Sequence, residues 1–141
     1  MEKTIKTLFL TTTLIFSLCC HSGVAVIVNP NNNNELNTAQ IKKIFLGKIN
    51  TFPDGSKAIP FDLAKGQKPR EMFLQKVLKR NESSLNSYWI RMLFSSKGKQ
   101  PTMMDNDEAI KFIVANNIHA IGYISTTNID ATIKVIQQFD R

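Results

Sequence analysis

Beyond residue 22 the chain contains no cysteine, because its only two stand at Cys19 and Cys20. A disulfide framework, thiol redox chemistry and cysteine-bound metal are therefore excluded from that part. It holds a single histidine, His119, inside an apolar segment, where a packed side chain is the ordinary reading. There is no Ser/His/Asp set, no HExxH, no Walker sequence and no GxGxxG, and the carboxylates are scattered without a partner at a diagnostic spacing. No enzyme, no metal and no cofactor is expected from such a chain. It also lacks an apolar run of the ~20 residues that a bilayer-spanning helix needs.

What is present suits one globular α/β domain: 141 residues, 43% hydrophobic and 21% charged, with a formal charge of +7. The basic residues are spread along the chain, and its Tyr88, Trp89 and Phe94 fall on a helical stripe rather than beside a basic patch. Nucleic acid is therefore not an expected partner.

The N-terminus has the layout of a secretory leader. Lys3 and Lys6 precede an uncharged stretch, TLFLTTTLIFSL, followed by the small or polar residues Cys19 to Gly23. We expect residues 1–22 to be a signal peptide and 23–141 a single exported, periplasmic domain. Acylation at Cys19 or Cys20 is disfavoured because the bulky Leu18 lies just before them. With Glu2, Lys3 and Lys6 taken from 18 basic and 11 acidic residues, the remainder carries about +6.

Val24 to Val28 is a β-branched run that reads as a buried strand ending at Asn29-Pro30. Asn31 to Asn34 reads as a loop. Asn37 with Gln40 forms a capping box opening a short helix with Ile41, Ile44 and Phe45 inward. AIPFD, residues 58–62, can be a strand, with Pro60 directing it to a sheet edge. A helix beginning near Pro69 carries Phe73, Val77 and Leu78. Ser83 or Ser84 is expected to cap a third helix whose stripe of Leu85, Tyr88, Trp89 and Met92, with Leu93 and Phe94 close behind, reads as core. Asp105 with Glu108 marks a fourth helix, IHAIGYI a strand, and Ala131 to Ile136 a weaker last strand or helix. Strands separated by helices predict a mixed central sheet flanked by helices.

The segment Lys65-Gly66-Gln67-Lys68-Pro69-Arg70 is the candidate site. A glycine-bearing turn at a helix start offers free N–H groups and a positive dipole end to an anion. Lys65, Lys68 and Arg70 add charge, and an arginine can grip two oxygens of a tetrahedral anion.

The order of VAVIVNPNN, LNTAQIKKIFLGK, FPDG, IPFDLAKGQKPREMF, SYWIRMLFSSKGKQP and AIKFIVANNIHAIGYIS resembles the phosphate ABC transporter substrate-binding proteins, of the type II periplasmic binding-protein fold. The resemblance implies one three-layer lobe of a usually two-lobed solute receptor. In that family this lobe holds the anion with an Arg, then Ser-Gly-Thr, often followed by another Arg. Arg70 fits the final Arg, while Gln67, Lys68 and Pro69 stand where Ser-Gly-Thr would be, and Asp62 or Leu63 takes the place of the earlier Arg. A hydroxyl donor and the backbone N–H at Pro69 are thereby lost. The resemblance implies phosphate or a similar oxyanion as ligand, held through Lys65, Gly66, Gln67, Lys68 and Arg70. The alternative is a docking domain for a membrane transporter, porin or sensor, with the anion site decayed. An uncovered cleft face would also suit a homodimer.

Overall fold

The computed structural model describes residues 22–141, so the expected leader lies, but for Ser22, outside the described residues. The chain runs β1 (Val24–Val28), α1 (Thr38–Phe45), β2 (Ile59–Leu63), α2 (Lys68–Phe73), α3 (Glu82–Ser95), β3 (Thr102–Met104), α4 (Asp107–Asn116), β4 (Ala120–Ser125) and β5 (Lys134–Phe139). A π-helical turn, Leu74–Leu78, prolongs α2, and a 3₁₀ turn, Thr126–Asn128, follows β4.

The five strands form one mixed sheet in the order β3-β2-β4-β1-β5. β2 is parallel to β3 and β4, whereas β1 is antiparallel to both β4 and β5. All five residues of β1 are fully buried, as expected of an apolar β-branched strand flanked on both sides and covered on both faces.

Alternation along β4 shows how the layers are built. Gly122 points to α4: a Cβ there would stand 2.6 Å from Ile110 Cγ2, so only glycine admits the helix this closely. Tyr123 points the other way into an aromatic cluster. Its ring stacks on Phe73 of α2 at 3.9 Å between centroids, and Phe73 meets Phe45 of α1 edge-on at 4.7 Å. The sheet thus lies between α4 and the α1/α2 pair, the expected three layers.

The capping box of α1 forms as expected, with Gln40 N–H donating to Asn37 Oδ1 and Asn37 N–H to Gln40 Oε1, both at 2.9 Å. Elsewhere the chain departs from expectation. α3 is capped by Asn81, not by Ser83 or Ser84, and α4 by Asn106, not by Asp105; each asparagine side chain accepts the N–H three residues on. Of the two readings open for Ala131 to Ile136, the strand is the one that forms, though it starts only at Lys134 after a turn and runs on to Phe139 as β5. β3 was not foreseen. Pro60 does not place β2 at an edge: β2 is the second strand, and its β3 partner begins only opposite Phe61, so the missing N–H falls where no ladder bond is required. Leu93 and Phe94 are not core: Met92 still packs against the core in the last turns of α3, but Leu93 falls on the flank of that packed face and Phe94 opposite it, and both are exposed.

The asparagine loop is also more than a solvated connection. Asn29 Nδ2 donates to the carbonyls of Val114 and Ala115 at the end of α4, and Asn32 Nδ2 to that of Ile118. Asn34 exchanges hydrogen bonds with Asp54 across 20 residues. The Asn29 amide thus serves carbonyls at the helix end, which lack a full set of intrahelical partners.

Candidate functional site

Because β2, β3 and β4 run in parallel, the loops leaving their C-terminal ends converge, and parallel sheets place their binding crevices there. A cleft of about 960 Å³ opens at this end. One wall is the Gly66–Pro69 loop with the following Met72, Gln75 and Lys76; the other is the start of α4 with Ser125, Thr127 and Asn128 after β4.

Gly66 holds the first wall in shape. Its φ of +90° lies in the left-handed region, and a Cβ at this position would meet nothing within 4 Å, so the backbone angle and not crowding calls for glycine. The turn brings Gln67 to the N-cap of α2, and Lys68 and Pro69 into its first turn. The N–H groups of Gly66 and Lys68 meet no acceptor among the described residues.

Of the five site residues named from sequence, the structure brings Gly66, Gln67 and Lys68 to the cleft. Lys65 is exposed but does not line it. Arg70 turns the other way and is among the most deeply buried side chains of the molecule. Its Nε and Nη2 donate to the Glu82 carboxylate at 2.5 and 2.9 Å, and its Nη1 to Leu63 O at 2.9 Å, with Asp62 Oδ2 2.7 Å away. With its donors so occupied, Arg70 holds the loop and offers no fork to an anion in the cleft.

The electrostatics of this cluster follow from its contacts. Burial works against the Arg70 charge, but Glu82 and then Asp62 outweigh it and keep the guanidinium protonated beyond its ordinary range. The same hydrogen bonds hold the Glu82 carboxyl below its usual value. Tyr123, whose hydroxyl donates to Asp62 Oδ1, is pushed well above the usual phenol range by burial and by that carboxylate.

The second wall was missed in the sequence, although the hydroxyls of Ser125 and Thr127 and the Asn128 amide, at and just after the end of AIGYIS, were its signal. Ser125 Oγ and Thr127 Oγ1 lie 2.9 Å apart, and Ser125 N–H and Asn128 Nδ2 both donate to Asp107 Oδ2. The cleft carries Lys68, Lys76 and Arg141 against Glu71, Asp107 and Glu108. With bases and acids balanced, recognition there depends on aimed N–H and O–H donors more than on bulk charge. His119 lies outside the cleft lining with its Nδ1 buried. Among the described residues no three His, Cys, Asp or Glu side chains stand together as a metal site.

No curated protein matches the chain. Among solved structures it is similar to a protein described as a phosphate ABC transporter substrate-binding protein, with bound phosphate, from Clostridium perfringens, at 23% identity and a TM-score of 0.64. It is equally similar in fold to an ABC-type phosphate transport receptor from Vibrio cholerae, at 20% identity and a TM-score of 0.64. Each alignment covers 82% of this chain but only 44% and 46% of those proteins, so the chain spans less than half of their length. At such identities the likeness establishes the fold. The order of strands, the cleft at their C-terminal ends and a match to the PBP superfamily domain over residues 3–136 together place this chain in the PBP superfamily.

Proposed function

We propose that the chain is an exported solute-binding module that takes a small oxyanion, phosphate foremost, in the cleft between the Gly66–Pro69 loop and Ser125–Asn128. The observation that carries this reading is the convergence of unpartnered loop N–H groups, Gln67 and Lys68 on one wall with the Ser125 and Thr127 hydroxyls on the other. Such donors suit an anion without any metal. The Clostridium perfringens protein, similar in fold, has phosphate bound, which supports the choice of anion. Uptake or sensing alongside a membrane transporter is part of the same reading, as is a second chain facing the cleft.

Lys65 and Arg70 enter this site only indirectly, Lys65 through its long-range charge and Arg70 by fixing the loop. Calorimetric titration of the full chain with phosphate, with sulfate as control, tests the proposal. Phosphate-selective heat near a micromolar Kd, about −8 kcal/mol, that is lost in Lys68→Ala and Gln67→Ala is the expected result. No heat, or equal heat from sulfate, overturns it and leaves the docking-domain reading in its place.

A further inference from the structure

At the opposite end of the sheet lies a surface that the cleft does not explain. Ile90, Leu93 and Phe94 share one face of α3 at helical spacing and are 46%, 65% and 89% exposed. The helix stops at Ser96, whose φ of 52° turns the chain into the basic loop of Lys97 and Lys99. This exposed apolar end borders a groove of about 860 Å³, lined by Leu93 with Lys97 and Lys99 and by Lys48, Ile49 and Lys57. Among the described residues no Asp or Glu lines it. Among the described residues none of the four lysines takes part in an ion pair.

We propose that this face docks the protein on an anionic membrane surface, with Leu93 and Phe94 entering the interface and the four lysines among the lipid phosphates. Three features select a lipid surface over an acidic protein. Phe94, almost fully exposed, stands clear of the groove that Leu93 helps to line, so a deformable acyl boundary receives it without a matching concavity. The cations are lysines, point charges on flexible stems that adapt to a layer of headgroups, where arginine forks would suit a fixed carboxylate. Their attraction to anionic lipid is cumulative, and one unbroken sign of charge beside exposed aromatic and aliphatic residues is what such a surface rewards.

The groove is built from the N-terminal ends of β2 and β3, whereas the cleft lies at the C-terminal ends of the parallel strands. A docked molecule therefore presents its cleft away from the bilayer, accessible to solute.

Co-sedimentation of the full chain with vesicles of mixed phosphatidylglycerol and phosphatidylcholine, compared with phosphatidylcholine alone, tests the proposal. The Lys48→Gln/Lys97→Gln/Lys99→Gln variant is expected to lose about tenfold or more in affinity for the anionic vesicles. A variant with Lys65→Gln, Lys68→Gln and Lys79→Gln has the same net charge and is expected to lose clearly less. Leu93→Ser/Phe94→Ser should weaken binding at unchanged charge. All these side chains are exposed, and an unaltered circular dichroism spectrum confirms each fold. Equal losses from both lysine variants would reduce the effect to net charge and overturn the proposal. So would wild-type binding by the Leu93/Phe94 variant, or binding to polyglutamate with none to anionic vesicles, which would point to an acidic protein partner. Phosphate titration of the unaltered chain is independent of every one of these results.

Discussion

Arg70 and Glu82 join the start of α2 to the start of α3 through two N–H···O bonds of 2.5 and 2.9 Å. A third bond from the same guanidinium to Leu63 O ties both helices to the end of β2. The arginine thus clamps shut the loop whose Gly66, Gln67 and Lys68 face the cleft. Arg70→Ala would leave Asp62, 7% exposed, without its cation, and the expected loss is about 3–5 kcal/mol. Glu82→Gln, at a half-exposed position, should cost about 1 kcal/mol. Urea unfolding of both variants checks the ranking; equal losses would mean that the clamp is not the anchor.

Gly122 and Ile110 set how closely α4 approaches the sheet. Gly122→Ala forces a Cβ to 2.6 Å from Ile110 Cγ2, a side chain that is fully buried. Overpacking of this kind is expected to cost about 1–3 kcal/mol. Adding Ile110→Ala should return part of that loss, so the double variant will be more stable than the sum of the single effects. Thermal unfolding of the three variants measures the coupling.

The pH dependence has a sign on each side of neutrality. Glu82 is held below its ordinary value by the Arg70 hydrogen bonds, and Asp130 is held down to about 2 by Lys111 and then Thr132. On acidification the unfolded chain takes up these protons first, so stability is complete above about pH 4.5 and drains away below it. Tyr123 acts in the opposite direction. Burial and Asp62 raise its pKa, so its contribution is present below about pH 10 and is lost as the pH rises further. Unfolding midpoints across the pH range should show a plateau between these limits, and Glu82→Gln should flatten the acid limb.

Asn34 is a structural member of the four-asparagine run. Its Nδ2 donates to Asn32 Oδ1 at 2.8 Å and to Asp54 Oδ2 at 3.0 Å, and its Oδ1 accepts the Asp54 N–H at 3.1 Å. Asn34→Ala strands these groups and should cost about 1–3 kcal/mol. The neighbouring Asn33 is exposed, and Asn33→Ala should stay within about 0.5 kcal/mol of the parent. Equal midpoints for the two would return the whole run to a solvated loop.

Much of the fold was legible along the chain. The β-branched run at Val24–Val28, the Asn37/Gln40 capping box and the glycine turn before α2 each depend on residues within a few positions of one another. The same locality carried the order of segments and hence the resemblance to phosphate receptors. The misreadings of Pro60, of Leu93 and Phe94 and of the cleft's second wall have a common origin in what lies far along the chain. Pro60 was assigned to an edge because nothing nearby announces that β3 is only three residues long. Leu93 and Phe94 follow directly on a core stripe, but only the fold shows which part of the α3 surface is covered, and these two are left exposed. The second wall of the cleft, at Ser125 and Thr127, begins almost 60 residues after Gly66 and carries no motif of its own.

By itself, then, the sequence determined most of the elements, the Asn37/Gln40 cap of α1, the glycine-bearing turn before α2 and the mixed α/β class, since turns and caps are bonds between near neighbours. Only the tertiary structure decided the direction in which Arg70 spends its charge. Its partners Asp62 and Glu82 lie 8 and 12 positions away on different elements, and ion pairing depends on distance through space. An arginine beside a glycine loop reads as an anion grip until the fold brings two carboxylates to it. Once it does, the donors are filled, and Gly66, Gln67 and Lys68 are left to face the cleft.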